Sequence, residues 1–130
     1  HETLITLQVY PNLGKTKLVG YDGMAPGPTF MVRNGTEAVV RFINKADKAN
    51  SVHLHGSYCK YNVQDADITS VTNHLSARAP FDGWAEDVTE PNSYKDYYYP
   101  NGQNARTLWY HDHAIDHTAE NAYMGQAGEK

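Results

Sequence analysis

Two His-x-His triplets constrain the fold of this chain more than any other feature of its sequence. His53 and His55 end the β-type run SVHLHG, and His111 and His113 end the aromatic run TLWYHDH. On a β-strand, residues i and i+2 project to the same face, about 7 Å apart along the chain. Each triplet therefore projects two imidazoles to one side of a strand. Two such strands lying side by side can converge four nitrogen ligands on one point.

The remaining sequence predicts a protein built mainly of strands. Apolar and polar residues alternate, or β-branched and aromatic residues dominate, in several short segments. Strands are predicted at residues 5–9, 37–44, 50–56, 94–99 and 107–113. Residues 20–30 are rich in Gly and Pro and predict a bend, Asn101-Gly102 supplies a turn, and only residues 118–123 suggest a helix. This pattern indicates an all-β antiparallel sandwich or barrel.

Composition excludes several classes of function. The chain has 130 residues, enough for one domain, with 11 basic and 15 acidic side chains and a net charge of −4. No basic run indicates a nucleic-acid partner, and no apolar stretch is long enough to predict a membrane span. A single cysteine, Cys59, excludes an internal disulfide framework. Because the sequence begins with His1, the N-terminus is expected to be processed or incomplete.

Four neutral imidazoles suit copper, zinc or iron. The run HDHAIDH, residues 111–117, differs by one residue from the metallo-β-lactamase pattern H-x-H-x-D-H. That pattern belongs on a loop of a fold with several helices, which this sequence does not predict. A zinc-dependent hydrolase therefore remains as an alternative to a copper protein.

Seven stretches carry a family resemblance, and together they cover nearly all of the chain except residues 59–77. They are LVGYDGMAPGPTF, VVRFIN, SVHLHG, APFDGWAEDVTEP, YKDYYYPN, ARTLWYHDHA and TAENAYMGQAG. They resemble the first cupredoxin domain of multicopper oxidases, most closely that of the fungal bilirubin oxidase type. The resemblance implies a cupredoxin-like Greek-key β-sandwich or barrel over residues 1–130.

The resemblance also implies roles for individual residues. His53 would bind a type 2 copper, and the type 3 copper pair would be bound by His55, His111 and His113. These are half of the ligands of a trinuclear copper site. The others would come from a C-terminal cupredoxin domain that also carries the type 1 copper and its cysteine ligand. Asp82 matches the acidic residue that assists proton delivery to oxygen.

The function implied by this resemblance is oxidation coupled to oxygen reduction. The full enzyme would take single electrons from a phenol or a tetrapyrrole and reduce O2 to water. This chain, with half of the trinuclear site, is expected to be inactive alone, and the resemblance implies an extracellular location. A stand-alone copper-binding module without turnover is the second alternative.

The other histidines and the two tryptophans are given no role at the metal. His117 is expected at the surface or behind the ligands, and His1 and His74 are expected to be incidental. Trp84 and Trp109 are expected to pack against other side chains, as large aromatic residues usually do.

Residues 59–77 interrupt the resemblance, and they are either a surface insertion or a translated, retained intron. Codons for Cys59-Lys60-Tyr61 can contain the splice-donor sequence GTAAGT, and codons for Thr72-Asn73 can spell the branch-point sequence ACTAAC. Codons for Ser76-Ala77 can supply the acceptor AG. Excision between these signals keeps the reading frame and joins the remnants into a serine codon. The product, HLHGSYSRAPFDGWAED, matches the family more closely, which favours the intron.

Overall fold

The computed structural model describes residues 2–57 and 83–130, with the side chains described from residue 5 onward. Within these ranges the chain forms seven strands and one short helix. They are β1 (Glu2–Leu7), β2 (Thr16–Tyr21), β3 (Ala38–Ile43), β4 (Val52–His55), β5 (Tyr94–Tyr99), β6 (Trp109–Asp112), α1 (Thr118–Tyr123) and β7 (Ala127–Glu129). The predicted all-β class is confirmed. No helix in these ranges has the length and apolar character that crossing a membrane requires.

Every strand pairing in the described residues is antiparallel. β1 pairs with β2, β3 pairs with β5, and β6 lies between β4 and β7. The segment before β3 also joins β7, because the Gly27 and Phe30 N–H groups donate to the Ala127 and Glu129 carbonyls at 2.6 Å and 3.0 Å. β6, which carries His111 and ends just before His113, is central in its sheet.

An aromatic cluster forms the core, and it lies on the face of β4 and β6 opposite to the histidines. Its buried members are Tyr21, Phe42, Val52, Leu54, Tyr97, Tyr99, Leu108 and Tyr110. Their rings meet edge to face, as with Phe42 and Tyr97, whose centroids are 5.5 Å apart. Such contacts add to the free energy gained by burying apolar area. Two of the buried hydroxyls make hydrogen bonds: Tyr110 donates to the Pro28 carbonyl at 2.8 Å, and the Tyr97 hydroxyl accepts from the Val52 N–H at 3.0 Å.

The sequence predicted β5 and α1 with the bounds found, β3, β4 and β6 within two residues, and β1 within three. It did not predict β2 or β7. β2 runs directly into the turn-rich segment, and β7 has only three residues, one of them Gly128. A Cβ at Gly128 would overlap the Tyr110 ring. The identity of that residue is therefore dictated by packing, and it gives no strand signal in the sequence.

Candidate metal centre

The four histidines of the two His-x-His triplets lie together at one end of the β4–β6 pair. In the register of the two strands, His53 lies opposite His111, and His55 lies opposite Trp109. Because side chains alternate between faces along a strand, these four side chains share the face away from the aromatic core. Long-range strand pairing thus brings together two triplets that are distant in sequence.

The imidazoles are close enough to share a metal ion or a small cluster of ions. The ring centroids of His53 lie 5.5 Å from those of His55 and 5.4 Å from those of His111. One nitrogen from each of these three residues lies within 4.8 Å of the others. The closest approach is between Nδ1 of His55 and Nε2 of His111, at 3.4 Å. Several neutral nitrogen donors at such spacing form a ligand set suited to Cu, Zn or Fe.

His111 has one ring nitrogen occupied and the other directed at the cluster. Its Nδ1 lies 2.7 Å from the Asp112 backbone carbonyl oxygen. A carbonyl can only accept a hydrogen bond, so Nδ1 carries the proton and Nε2 keeps its lone pair. Burial lowers the pKa of His111, and the neighbouring histidines lower it further. Both effects favour the neutral ring that a metal requires.

His113 contributes a fourth ring next to this group. Its centroid lies 5.0 Å from that of His53 and 6.0 Å from that of His111. Its Nδ1 is buried and makes no hydrogen bond to any described residue. A buried nitrogen without a partner is costly, and a metal ion would satisfy its lone pair. The four residues therefore fit a metal that takes imidazole ligands.

Trp109 packs against the histidines, as expected, although part of its side chain stays exposed. The side chain is 45 % exposed. Its indole stacks on His111, with centroids 4.2 Å apart and planes at 28°, and on His55, at 5.1 Å and 22°. Trp84 is likewise 41 % exposed. Trp109 stacks on the faces of two imidazoles. Its i, i+2 spacing from His111 places both side chains on one face of β6, so the sequence could have indicated this contact.

A buried carboxylate lies behind the cluster, and the sequence argument gave it no role. Asp112 stands between His111 and His113 and is 0 % exposed. Burial raises the pKa of the Asp112 carboxyl above its ordinary value, while hydrogen bonds from Ser51, Ala114 and Asn121 lower it. A carboxylate with this many partners behind a ligand strand organises the backbone around it.

The loop after residue 82 lies against the same two strands. Gly83 has φ of 59°, and a Cβ there would overlap the Val52 carbonyl and approach the backbone nitrogen of His53. The Trp84 carbonyl accepts from the Ser51 hydroxyl at 2.9 Å, and the Ala85 carbonyl accepts from the Ile115 N–H at 2.9 Å. The loop therefore packs on the backbone that carries the histidines.

Several residues named from the sequence lie outside the described residues: His1, His74, Asp82 and the segment 59–77. His117 is described, and it is exposed just before α1. The group of close ligand atoms comes from His53, His55 and His111, and neither Asp116 nor His117 belongs to it. The ligand group is thus carried by facing strands, unlike the loop-borne arrangement of the zinc-hydrolase pattern.

Comparisons with known proteins agree on one family. A family model described as multicopper oxidase matches residues 4–129. Bilirubin oxidase of Albifimbria verrucaria is 63 % identical over 123 residues, which are 95 % of this chain and 18 % of that protein. A laccase of Bacillus subtilis is 28 % identical over 137 residues, 95 % of this chain and 26 % of the laccase. The chain therefore spans about a fifth to a quarter of these relatives.

Solved structures give the same result for the fold. The multi-copper oxidase of Pseudomonas thermotolerans superposes with a TM-score of 0.71 at 26 % identity, covering 98 % of this chain and 27 % of that one. A variant of the McoA multicopper oxidase of Aquifex aeolicus superposes with a TM-score of 0.74 at 21 % identity, covering 98 % and 24 %. The second likeness concerns the fold alone.

Proposed function

This chain belongs to the multicopper oxidase family, and from that premise we propose that its histidine cluster is half of a trinuclear copper site. The proposal rests on one observation, the convergence of four imidazoles on a single face of β4 and β6. His53 is assigned to the type 2 copper. The type 3 pair is assigned to His55, His111 and His113. The family uses copper, and imidazole nitrogens are good ligands for it.

Copper bound here would supply the one-electron steps by which O2 is reduced to water. The residues of this chain fix the orientation of the metal ligands. The Asp112 carbonyl holds the His111 ring with Nε2 free, and the Trp109 indole restricts the rotation of both His111 and His55. Fixing ligand orientation before the metal arrives lowers the entropy lost on binding.

The other ligands are proposed to come from a second cupredoxin domain that docks on the histidine face. His55 is exposed and Trp109 is partly exposed there, so the site is open on the side away from the core. The relatives are several times longer than the matched region. A C-terminal domain that supplies the remaining ligands and a type 1 copper fits both facts.

The activity proposed for the whole protein is oxidation of a phenol or a tetrapyrrole with O2 as the electron acceptor. The relatives include a bilirubin oxidase and a laccase. Asp82 is proposed to relay protons to the reduced oxygen, because that reaction consumes protons. Gly83, the next residue along the chain, lies against the backbone of Val52 and of His53, the proposed type 2 ligand. An extracellular location is proposed from the fungal relative.

Oxygen uptake by the full-length, copper-loaded protein tests this function. We expect uptake only with an electron-donating substrate, and one O2 consumed for every four electrons removed. Uptake that leaves the donor unoxidised would contradict the oxidase. Copper binding by the 130-residue chain without any uptake by the longer protein would favour the stand-alone copper module. Ester or amide hydrolysis that depends on added zinc would favour the zinc hydrolase.

We propose further that residues 59–77 come from a retained intron. β4 ends at His55, the described chain reaches Ser57, and it resumes at Gly83 beside the start of β4. The five steps from Val52 to Ser57 span at most about 17 Å, at about 3.3 Å per residue. After excision, seven residues would connect Ser57 to Gly83. Their extended reach of about 26 Å is sufficient to close the connection.

Sequencing the mature transcript across codons 50–130 tests the intron. We expect the predominant transcript to lack the segment between the GT of the Cys59 codon and the AG at the Ser76–Ala77 junction. The control is the genomic sequence, which must contain the segment. A mature transcript that keeps the segment, with no shorter form, would establish it as a true insertion.

A further inference from the structure

Asp112 separates His111 from His113, and its side chain points to the opposite face of the sheet. One carboxylate oxygen accepts from the Ser51 backbone N–H at 2.8 Å. The other accepts from the Ala114 backbone N–H at 3.1 Å and from the Asn121 side-chain amide at 3.2 Å. Three donors therefore converge on one carboxylate, and both of its oxygens accept hydrogen bonds.

These contacts join the two segments that carry the histidines. Ser51 stands two residues before His53, and Ala114 directly follows His113. The Ser51 carbonyl also accepts from the His113 N–H at 2.7 Å. On its backbone side, Asp112 offers the carbonyl that holds the His111 ring. Asp112 thus contacts Ser51 just before β4, the ring of His111, and the N–H of Ala114 that follows His113.

We propose that Asp112 is a positioning residue of the copper site. Its carboxylate fixes the start of β4 to the residues after β6. The rings of His53 and His113 are thereby held close together, with centroids 5.0 Å apart. This inference rests on the proposed copper function. Outer residues that orient metal ligands contribute about 10- to 100-fold to metal affinity in other proteins. The same magnitude is expected here.

Asparagine at this position cannot reproduce the arrangement. An amide has one oxygen, and its NH2 group must face at least one of the two backbone N–H donors, Ser51 or Ala114. That donor loses its acceptor while remaining buried, and the segment must move to relieve the conflict. Asp112→Asn keeps the size of the side chain, so it tests the hydrogen-bonding pattern and not the packing.

The test compares Cu²⁺ affinity in Asp112→Asn with the unsubstituted protein and with Asp96→Asn. The control variant Asp96→Asn makes the same change at an exposed carboxylate on β5, which pairs with Arg41. We expect affinity to fall about 10- to 100-fold in Asp112→Asn and to change by less than about threefold in Asp96→Asn. Equal affinities for Asp112→Asn and the unsubstituted protein would overturn the proposal.

A second measurement, on the metal-free protein, separates positioning from general stability. Nitrogen NMR of the imidazoles reports which ring nitrogen of His111 is protonated. We expect one tautomer in the unsubstituted protein and in the core variant Phe42→Leu, but a mixture in Asp112→Asn. A single tautomer in all three would overturn the proposal. If the unsubstituted protein binds no copper, the copper function fails, and these spectra still decide the role of Asp112.

If Asp112→Asn does not fold, Asn121→Ala takes its place. This variant keeps the carboxylate and its two backbone donors but loses the donor from α1. We expect copper affinity to fall about 3- to 10-fold, less than the full effect of losing an outer residue. Unchanged affinity together with an unchanged His111 spectrum would overturn the proposal.

Discussion

Replacing His111 with alanine is expected to lower the Cu²⁺ affinity of this protein by more than about 100-fold, the upper end of what outer residues alone contribute. His111 lies near all three of the other rings: it is opposite His53, its Nε2 is 3.4 Å from Nδ1 of His55, and its centroid is 6.0 Å from that of His113. Its free Nε2 is directed into the group. Removing it takes away a ligand and also the surface on which Trp109 stacks. Isothermal titration with Cu²⁺ measures the loss.

The matched control is His117→Ala, which removes an exposed imidazole six residues along the chain, outside the ligand group. Its copper affinity is expected to stay within about threefold of the unsubstituted protein. Both variants should keep the same far-UV circular dichroism, because His111 is not part of the aromatic core. Equal copper affinities in the two variants would remove His111 from the site.

Replacing Gly83 with alanine is expected to lower the free energy of unfolding by at least about 3 kcal/mol, among the larger effects of single substitutions. Two causes add at this position. The backbone has φ of 59°, which an L-residue adopts at a cost of about 1–2 kcal/mol. The new Cβ would also overlap the carbonyl of Val52, which is backbone and cannot rotate away. The loop must then move off the start of β4.

Gly35→Ala separates these two causes, because Gly35 has φ of 75° and no atom within 4 Å of its added Cβ. We expect it to cost only the conformational part, about 1–2 kcal/mol. Gly83→Ala should also weaken copper binding, since the displaced loop contacts the backbone of His53. Chemical denaturation and copper titration of both variants measure the effects. Equal losses of stability in the two would show that the contact with Val52 contributes nothing.

The strands that the sequence predicted are those whose own residues carry the signal. β5 was found with its predicted bounds because YKDYYY is rich in aromatic residues, with Tyr97 and Tyr99 directed into the core. β7 was missed because its residues satisfy the needs of a neighbour, the ring of Tyr110 beside Gly128. Strand identity there is decided by contacts between distant residues, and a local pattern does not contain them.

The site could be predicted in part for the same reason. The i, i+2 spacing within each triplet places two rings on one face, so the pairs were visible in the sequence. The register that sets His53 opposite His111 depends on how β4 and β6 meet, and spacing alone does not determine it. The supporting residues Asp112 and Trp109 were missed because their roles arise from that pairing. The assignment of each histidine to a particular copper stays a prediction.

The alternation along β6 has a consequence for the folding of the protein. Tyr110 belongs to the core on one face, and His111 belongs to the ligand group on the other. A slip of one residue would reverse both, moving the phenol ring to the ligand face and the imidazole into the aromatic core, so a misregistered chain loses its core and its metal site together. An ion that binds only the correct pairing stabilises that pairing by mass action. Copper present during folding would therefore increase the fraction of chains in which β4 and β6 pair in the correct register.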